Sequence, residues 1–320
     1  MLYWSDMHWD HRVGRRLTLR DLNILLAVAD AGSMAKAATR LAISQPAVSR
    51  AIADMEHTLG VTLLDRSQQG VEPTIYGRAL LRRGFAVFDE LKQGVQDIAF
   101  LSHPGAGELR VGASASLSEG IVTTVVNRVL QQYSRVVFHV IVGGKLQLLE
   151  GLRTRRVELG FVRMSGQESE DDIMPEVLYE EPLVVVAGVD NPWVRRRKIR
   201  LAELVNEHWT WPSPGTVYDT LVVEAFRASG VKPPSATVYA DPINMRIKLA
   251  ATGRLLAVVP SGILRFPAKH PSLKVLPVEL PTTHRQIGII TLKNRTLSPL
   301  AQLFIEHARE VAKVLAKAKS

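Results

Sequence analysis

The 320-residue chain contains no cysteine. Disulfides, thiolate zinc sites and cysteine nucleophiles are excluded together, and a reducing cytoplasm fits. No uninterrupted apolar run reaches the roughly 18 residues of a spanning helix. Met1 to His11 has neither the basic start nor the apolar stretch of a secretory leader, so a cytoplasmic protein without a membrane partner is expected. Several catalytic signatures are also missing. There is no phosphate loop of the GxxxxGK[ST] form, and Gly112-Ala113-Ser114-Ala115-Ser116 lacks the last glycine of a nucleophile elbow, with no triad partners in view. His8 and His11 are three residues apart but fall in a polar stretch, residues 1–17, that reads as a flexible tail. No catalytic residue, metal or cofactor is expected.

Hydrophobic residues make up 46% of the chain and charged residues 22%, enough for substantial cores, and the length suits two or three domains. A net charge of +9 invites an anionic partner. Its distribution does not locate one, because residues 1–103 hold 12 Lys+Arg against 11 Asp+Glu while the remainder holds 28 against 20.

Helical spacing fills the first third. Leu22, Leu25, Leu26 and Ala29 recur at three- and four-residue steps before Ala31-Gly32. Ser33 can cap a second helix, 34–41, whose Ala35, Ala37 and Ala38 allow close approach. Ser44 can cap a third, with Pro46 in its first turn and Ala47, Val48, Ala51, Ile52, Met55 and Leu59 as its apolar stripe. Two short helices joined by a tight turn, with Gln45, Ser49 and Arg50 on the outer face of the second, make a helix-turn-helix pattern. In a major groove a Gln amide can pair with adenine, Arg with guanine, and Ser with base or phosphate. Lys36 and Arg40 would lie beside the phosphates, and Ser33, Ser44 and Pro46, with Arg66 and Thr74 further along, complete the expected DNA-binding set. A compact three-helix core with solvated polar residues is the other reading of any such trio.

Residues 61–66 and 71–74 flank Ser67-Gln68-Gln69-Gly70 as two short extended segments, the hairpin of a winged helix, and Arg66 can reach minor-groove phosphates from it. With Ala37-Ala38 and Leu41, Ser44-Gln45-Pro46-Ala47-Val48-Ser49, Leu59-Gly60-Val61, Leu64-Asp65-Arg66, and Thr74 with Gly77, the chain closely resembles the LysR-type transcriptional regulators over residues 18–83. Gln68-Gln69 stands where the family often carries a second basic residue, and Pro73 where leucine is common.

From Thr74, a possible helix cap, a long helix runs to about residue 102. Leu81, Gly84, Phe88, Leu91, Val95 and Ile98 form a heptad seam on it. It reads either as an amphipathic helix packed on its own domain or as a dimerising linker, 77–103. The linker explains the seam better, because no neighbouring segment in the first hundred residues is left to cover it. The resemblance implies that this helix pairs two subunits, as homodimer or homotetramer, on an imperfect inverted repeat in double-stranded promoter DNA.

Beyond the joint at 102–107, strand candidates at 109–113, 136–142, 159–162, 183–187, 255–259, 273–278 and 286–292 alternate with helical stretches at 118–132, 146–153, 216–228 and 298–316. The fold class is α/β with mostly parallel sheets, preceded by an α-rich winged helix-turn-helix domain at 18–76. The resemblance implies a two-lobed, periplasmic-binding-protein-like effector domain at 104–320, with lobe one at 108–178 and 282–320 and lobe two at 179–281. Ser114, Ser116 and Ser118, Ser213 and Thr216, and Asn244 stand where its cleft would take a small-molecule effector, though each serine could equally be a plain helix cap. Arg163 could meet a carboxylate or a sugar hydroxyl, or sit solvated in a loop. The basic run Arg195-Arg196-Arg197-Lys198 with Arg200 reads as a solvated surface, and Glu168, Glu170, Asp171 and Asp172 as a solvated turn. A plain small-molecule binding protein, or an enzyme whose groups converge only in the fold, would leave residues 18–98 unexplained.

Overall fold

The computed structural model describes residues 17–67, 70–103, 105–164, 170–265 and 271–317. The tail through residue 16 with both its histidines, Gln68-Gln69, Pro104 and Glu168 lie outside them. The chain packs as two compact units, residues 1–94 and 95–320.

In the first unit, α1 (Leu19–Ala31) opens with a reciprocal cap, in which Asp21 N–H donates to the Thr18 hydroxyl and Thr18 N–H donates to the Asp21 carboxylate. Helix α2 (Met34–Leu41) is capped by Ser33 and ends at Ala42, which takes the left-handed conformation at φ 54°. Helix α3 (Gln45–Leu59) is capped by Ser44 and ends at Gly60. Leu25, Val28, Ala37, Val48 and Ile52 interlock in a core without solvent access. Strands β1 (Leu64–Ser67) and β2 (Gly70–Pro73) pair antiparallel, with Leu64 opposite Pro73. Glu56 ties this hairpin to α3 by accepting from Leu63 N–H at 2.7 Å and Leu64 N–H at 3.2 Å.

Helix α4 (Ile75–Ser102) follows. Its first turn crosses Leu63 so closely that a Cβ on Gly77 would lie 2.0 Å from the Leu63 carbonyl oxygen. The heptad seam divides here. Leu81 joins the head's own core and Gly84 faces Leu22 and Leu26, so α1 covers the start of the seam that the sequence left without a partner. Phe88 is half-buried, whereas Leu91, Val95 and Ile98 are exposed.

The second unit carries two five-stranded sheets. The first has the order β4-β3-β5-β12-β6, from β3 (Ala106–Ala113), β4 (Arg135–Val142), β5 (Leu159–Arg163), β6 (Ile173–Glu181) and β12 (Arg285–Leu292). The second has the order β11-β7-β10-β8-β9, from β7 (Leu183–Gly188), β8 (Trp209–Trp211), β9 (Val238–Tyr239), β10 (Leu256–Pro260) and β11 (Leu273–Val275). The mostly parallel expectation is corrected. Each sheet has two parallel and two antiparallel pairings, because the chain crosses between lobes after β6 and returns through β12, reversing direction on each passage. The lobe boundary after residue 178 is corrected too. Strand β6 pairs with β12 as far as Glu181, so the crossover falls at Pro182.

Helices α5 (Thr123–Gln132), α6 (Lys145–Arg153), α7 (Val217–Ala228), α8 (Ile243–Ala251) and α9 (Pro299–Lys317) cover the sheets. The expected helix at 118–132 is present and begins three residues earlier, with a π-helical first part. A turn at Ala115–Leu117 passes into a π-helical stretch, Ser118–Val122, before α5 begins. Phe304 of α9 packs on Phe138 and Phe161 in the first lobe, and Trp209, Trp211 and Phe226 cluster in the second. Among the described residues no helix is long and apolar enough to cross a membrane.

Candidate functional site

The first candidate surface is the outer side of α3. Val48, Ile52 and Met55 are buried, which fixes the helix's rotation and turns Gln45, Pro46 and Arg50 to solvent with Ser49 half-exposed. Lys36 and Arg66 are exposed as well. Arg40 is exposed but already ion-paired to Asp30 of α1. Three hydroxyls proposed for DNA have internal work. Ser33 accepts from Lys36 N–H at 3.5 Å, and Ser44 from Ala47 N–H at 3.4 Å. Thr74 donates to the Thr62 carbonyl at 2.7 Å and accepts from Gly77 N–H at 3.0 Å. These are caps, a role that satisfies N–H groups left free at helix starts.

The second candidate lies between the α/β lobes, where a cavity of about 290 Å³ is lined by Ser114, Arg163, Leu148 and Met164 from one lobe and Tyr218 and Leu221 from the other. Arg163 is not a solvated loop residue. It ends β5, its side chain is 9% exposed, and it donates to Glu181 Oε1 at 2.6 Å with its guanidinium 5.5 Å from the Tyr218 ring centre. Burial works against its charge, but Tyr218 and Glu181 outweigh it and hold the guanidinium above its ordinary value. Glu181 is buried and also accepts from Gly262 N–H at 2.7 Å. Buried Arg246 also lies against Tyr218, 5.9 Å from its ring centre; its guanidinium donates to the Val258 carbonyl and is pushed below its ordinary value by burial.

Only Ser114 and Arg163 of the expected effector residues line this cavity. Ser116 is buried behind it, sharing a 2.7 Å hydrogen bond with Tyr218 Oη across the lobes. Ser118 donates to the Ala115 carbonyl, and Thr216 caps α7 while donating to the Ser213 carbonyl. Asn244 reaches the other lobe and donates to Glu119 at 2.7 Å, a carboxylate presented by the π-helical stretch. The basic run is exposed, with Arg196 over the Trp193 ring and Arg200 ion-paired to Glu203. The acidic turn is partly structural, because Arg153 binds Glu170 and Asp172. Tyr218, Lys145 and Arg285 of the cavity wall were missed. Tyr218 stands in the first turn of a helix, two residues after its Thr216 cap, and nothing in its own neighbourhood announces the lobe it meets.

A winged helix-turn-helix head followed by a two-lobed α/β module with a cavity between the lobes defines a DNA-binding regulator with an effector-binding domain. Residues 19–78 match the family described as bacterial regulatory helix-turn-helix protein, lysR family, and residues 102–313 match the LysR substrate binding domain. The chain belongs to the LysR family of transcriptional regulators. It is 27% identical over 304 residues to the uncharacterized HTH-type transcriptional regulator YdcI of Escherichia coli (strain K12), covering 92% of this chain and 96% of that one. Its fold is shared with full-length CbnR complexed with its target DNA, at a TM-score of 0.62 and 24% identity over 92% of this chain and 99% of that one. The regulatory domain of Synechocystis CcmR in complex with 2-PG gives a TM-score of 0.54 at 19% identity, over 65% of this chain and 98% of that domain.

Proposed function

We propose that α3 docks in the major groove, with Gln45, Ser49 and Arg50 reading base edges and Lys36, Arg40 and Arg66 engaging phosphates. Arg40 would exchange or share its Asp30 partner on docking. Two copies pair through the exposed part of the α4 seam, Leu91, Val95 and Ile98, and present two heads to an imperfect inverted repeat with half-sites near multiples of one helical turn. The working partition is a head at 18–76, the linker at 77–103 and an effector domain at 104–320 that acts in the cytoplasm without catalysis. A small molecule in the inter-lobe cavity changes the balance of lobe arrangements and thereby the spacing or angle of the heads and the bend they impose. The complex of CbnR with its target DNA and that of CcmR with 2-PG support the two halves of this reading.

The observation that carries it is the exposed Gln45, Ser49 and Arg50 face above a buried Val48, Ile52 and Met55 stripe. Gln45→Ala and Arg50→Ala should each weaken binding to the specific site by about 1–3 kcal/mol and binding to random duplex much less. Equal losses on both duplexes, measured by fluorescence anisotropy at fixed salt, would reassign the two residues as phosphate contacts.

A further inference from the structure

The inter-lobe cavity carries unmet hydrogen-bonding capacity that is mostly of donors. Nε and Nη1 of Arg163 and the Oγ of Ser114 are buried without a hydrogen-bond partner among the described residues, and both side chains line the same space. A buried donor left unsatisfied costs about 1–3 kcal/mol, more when charged, and native structures retain few of them. The two guanidinium nitrogens can only donate and the Ser114 hydroxyl can donate beside them, so the three atoms together mark a place where acceptor oxygens belong. The charge around it has the matching sign. Among the described residues Arg163, Lys145 and Arg285 contribute cations to the wall and no carboxylate lines it, while the buried Arg246 guanidinium lies 5.9 Å from the Tyr218 ring centre. Glu181, on Arg163 Nη2, offsets part of this excess. Gly144 and Lys145, at the start of α6, also line the cavity; Gln147 Oε1 accepts from Gly144 N–H at 3.0 Å, and the N-cap Gly144 offers no side chain to the N–H groups that follow, which favour an anion. The rest of the wall is aliphatic, from Leu148, Val162, Met164, Val217 and Leu221. At about 290 Å³ the space falls just below the usual range of about 300–1,000 Å³ for drug-sized ligands, so it suits a metabolite.

From this we infer that the effector is a small monocarboxylate with a short apolar body, its carboxylate held by Arg163 and Ser114 and its body against the aliphatic wall. The inference rests on the reading of the cavity as the effector site. A phosphoester would bring more acceptor oxygens and a second negative charge, which suits a wall that is mostly aliphatic less well. A sugar would place hydroxyls against that same wall.

The test uses the purified full-length protein in thermal unfolding at constant ionic strength. Benzoate, 3-methylbutanoate and hexanoate are each compared with their primary amides, and inorganic phosphate and glucose are run beside them. At least one carboxylate should raise the melting temperature while its amide does not. Ser114→Ala should weaken that carboxylate by about two- to tenfold, the loss of one hydrogen bond, and Arg163→Gln should abolish its effect. If Arg163→Gln unfolds because Glu181 is left unpaired, the amide comparison and Ser114→Ala decide alone. Amides as effective as their acids, phosphate or glucose binding in place of every carboxylate, or no shift with any carboxylate overturns the inference. A DNase footprint on the same samples separates the two readings. Glucose altering the footprint while no carboxylate binds would leave the effector reading standing without this chemistry. A carboxylate that binds through Ser114 and Arg163 yet alters neither footprint nor bend would leave the chemistry standing and remove the regulatory role.

Discussion

Gly77 and Gly84 sit two turns apart on the same helix and face opposite fates on substitution. A Cβ at Gly77 meets the backbone oxygen of Leu63 at 2.0 Å, a group fixed by the hairpin, whereas at Gly84 it meets only Leu22 and Leu26 side-chain carbons at 3.8 Å, ordinary contact distance. Gly77→Ala should destabilise the head by about 1–3 kcal/mol or more through forced separation of α4 from the wing. Gly84→Ala should be neutral or stabilise by up to about 1 kcal/mol, since alanine is the better helix former. Hydrogen exchange of α1 to α3 amides in the full chain reads both, and faster exchange in Gly84→Ala than in Gly77→Ala would contradict the geometry. A second residue-scale effect depends on pH. The hydrogen bond from Arg153 holds Asp172 below the ordinary carboxylate range, against a smaller opposing contribution from burial. The stability it lends is therefore present above the unfolded-state pKa of about 3.9 and is lost as pH falls through the depressed value. Both side chains are more than a third exposed, so the effect is small. Asp172→Asn should remove part of the acid-side decline in melting temperature and leave the slope above pH 6 unchanged. A decline as steep as that of the unsubstituted protein would assign it to other carboxylates.

At the scale of elements, legibility followed the length of each pattern. Helices α1 to α3 stood out because apolar residues recur over eight to fifteen residues and every start has a capping side chain. Strand β6 did not, because it is an edge strand that tolerates Pro175 and exposes Met174 and Val177 among glutamates, which blurs alternation. Strands β8 and β9, of three and two residues, are too short to show a period at all. Of the cavity, the sequence disclosed Ser114 and Arg163 from their places beside strand ends, but Tyr218 acquires its role only from a partner 102 residues away. The α4 seam divides by the same logic, since a heptad pattern records that a face is covered and not what covers it. Its uncovered part, with Val95 at 67% and Ile98 at 66% exposure, carries the next prediction. Val95→Lys with Ile98→Glu should raise the dimer dissociation constant by at least about tenfold in sedimentation equilibrium, because two charges would be buried at each paired helix face. Leu81→Ala should instead cost the head about 2–5 kcal/mol and leave self-association of the folded fraction unchanged. Unaltered association in the double variant would exclude this face as the dimer contact.

In the whole molecule, the lobes of the effector domain are joined by a few directional bonds near the cavity. Ser116 meets Tyr218, and Glu119 meets Asn244. A net contribution of about 0.5–1.5 kcal/mol per hydrogen bond means that removing one shifts an equilibrium between lobe arrangements by about two- to tenfold, which is the size of change a ligand's differential affinity must also supply. Tyr218→Phe keeps the ring beneath Arg163 while deleting the hydroxyl, and Asn244→Ala removes the amide without approaching the cavity wall. If lobe arrangement sets the angle between the DNA heads, both variants should alter the bend of the bound promoter in the same direction with no effector present. Each should also shrink the further change that an effector produces, because part of the transition has already occurred. Circular-permutation electrophoresis measures the bend. Two variants that bend DNA like the parent while an effector remains fully active would detach these bonds from the signal and place the coupling elsewhere in the chain.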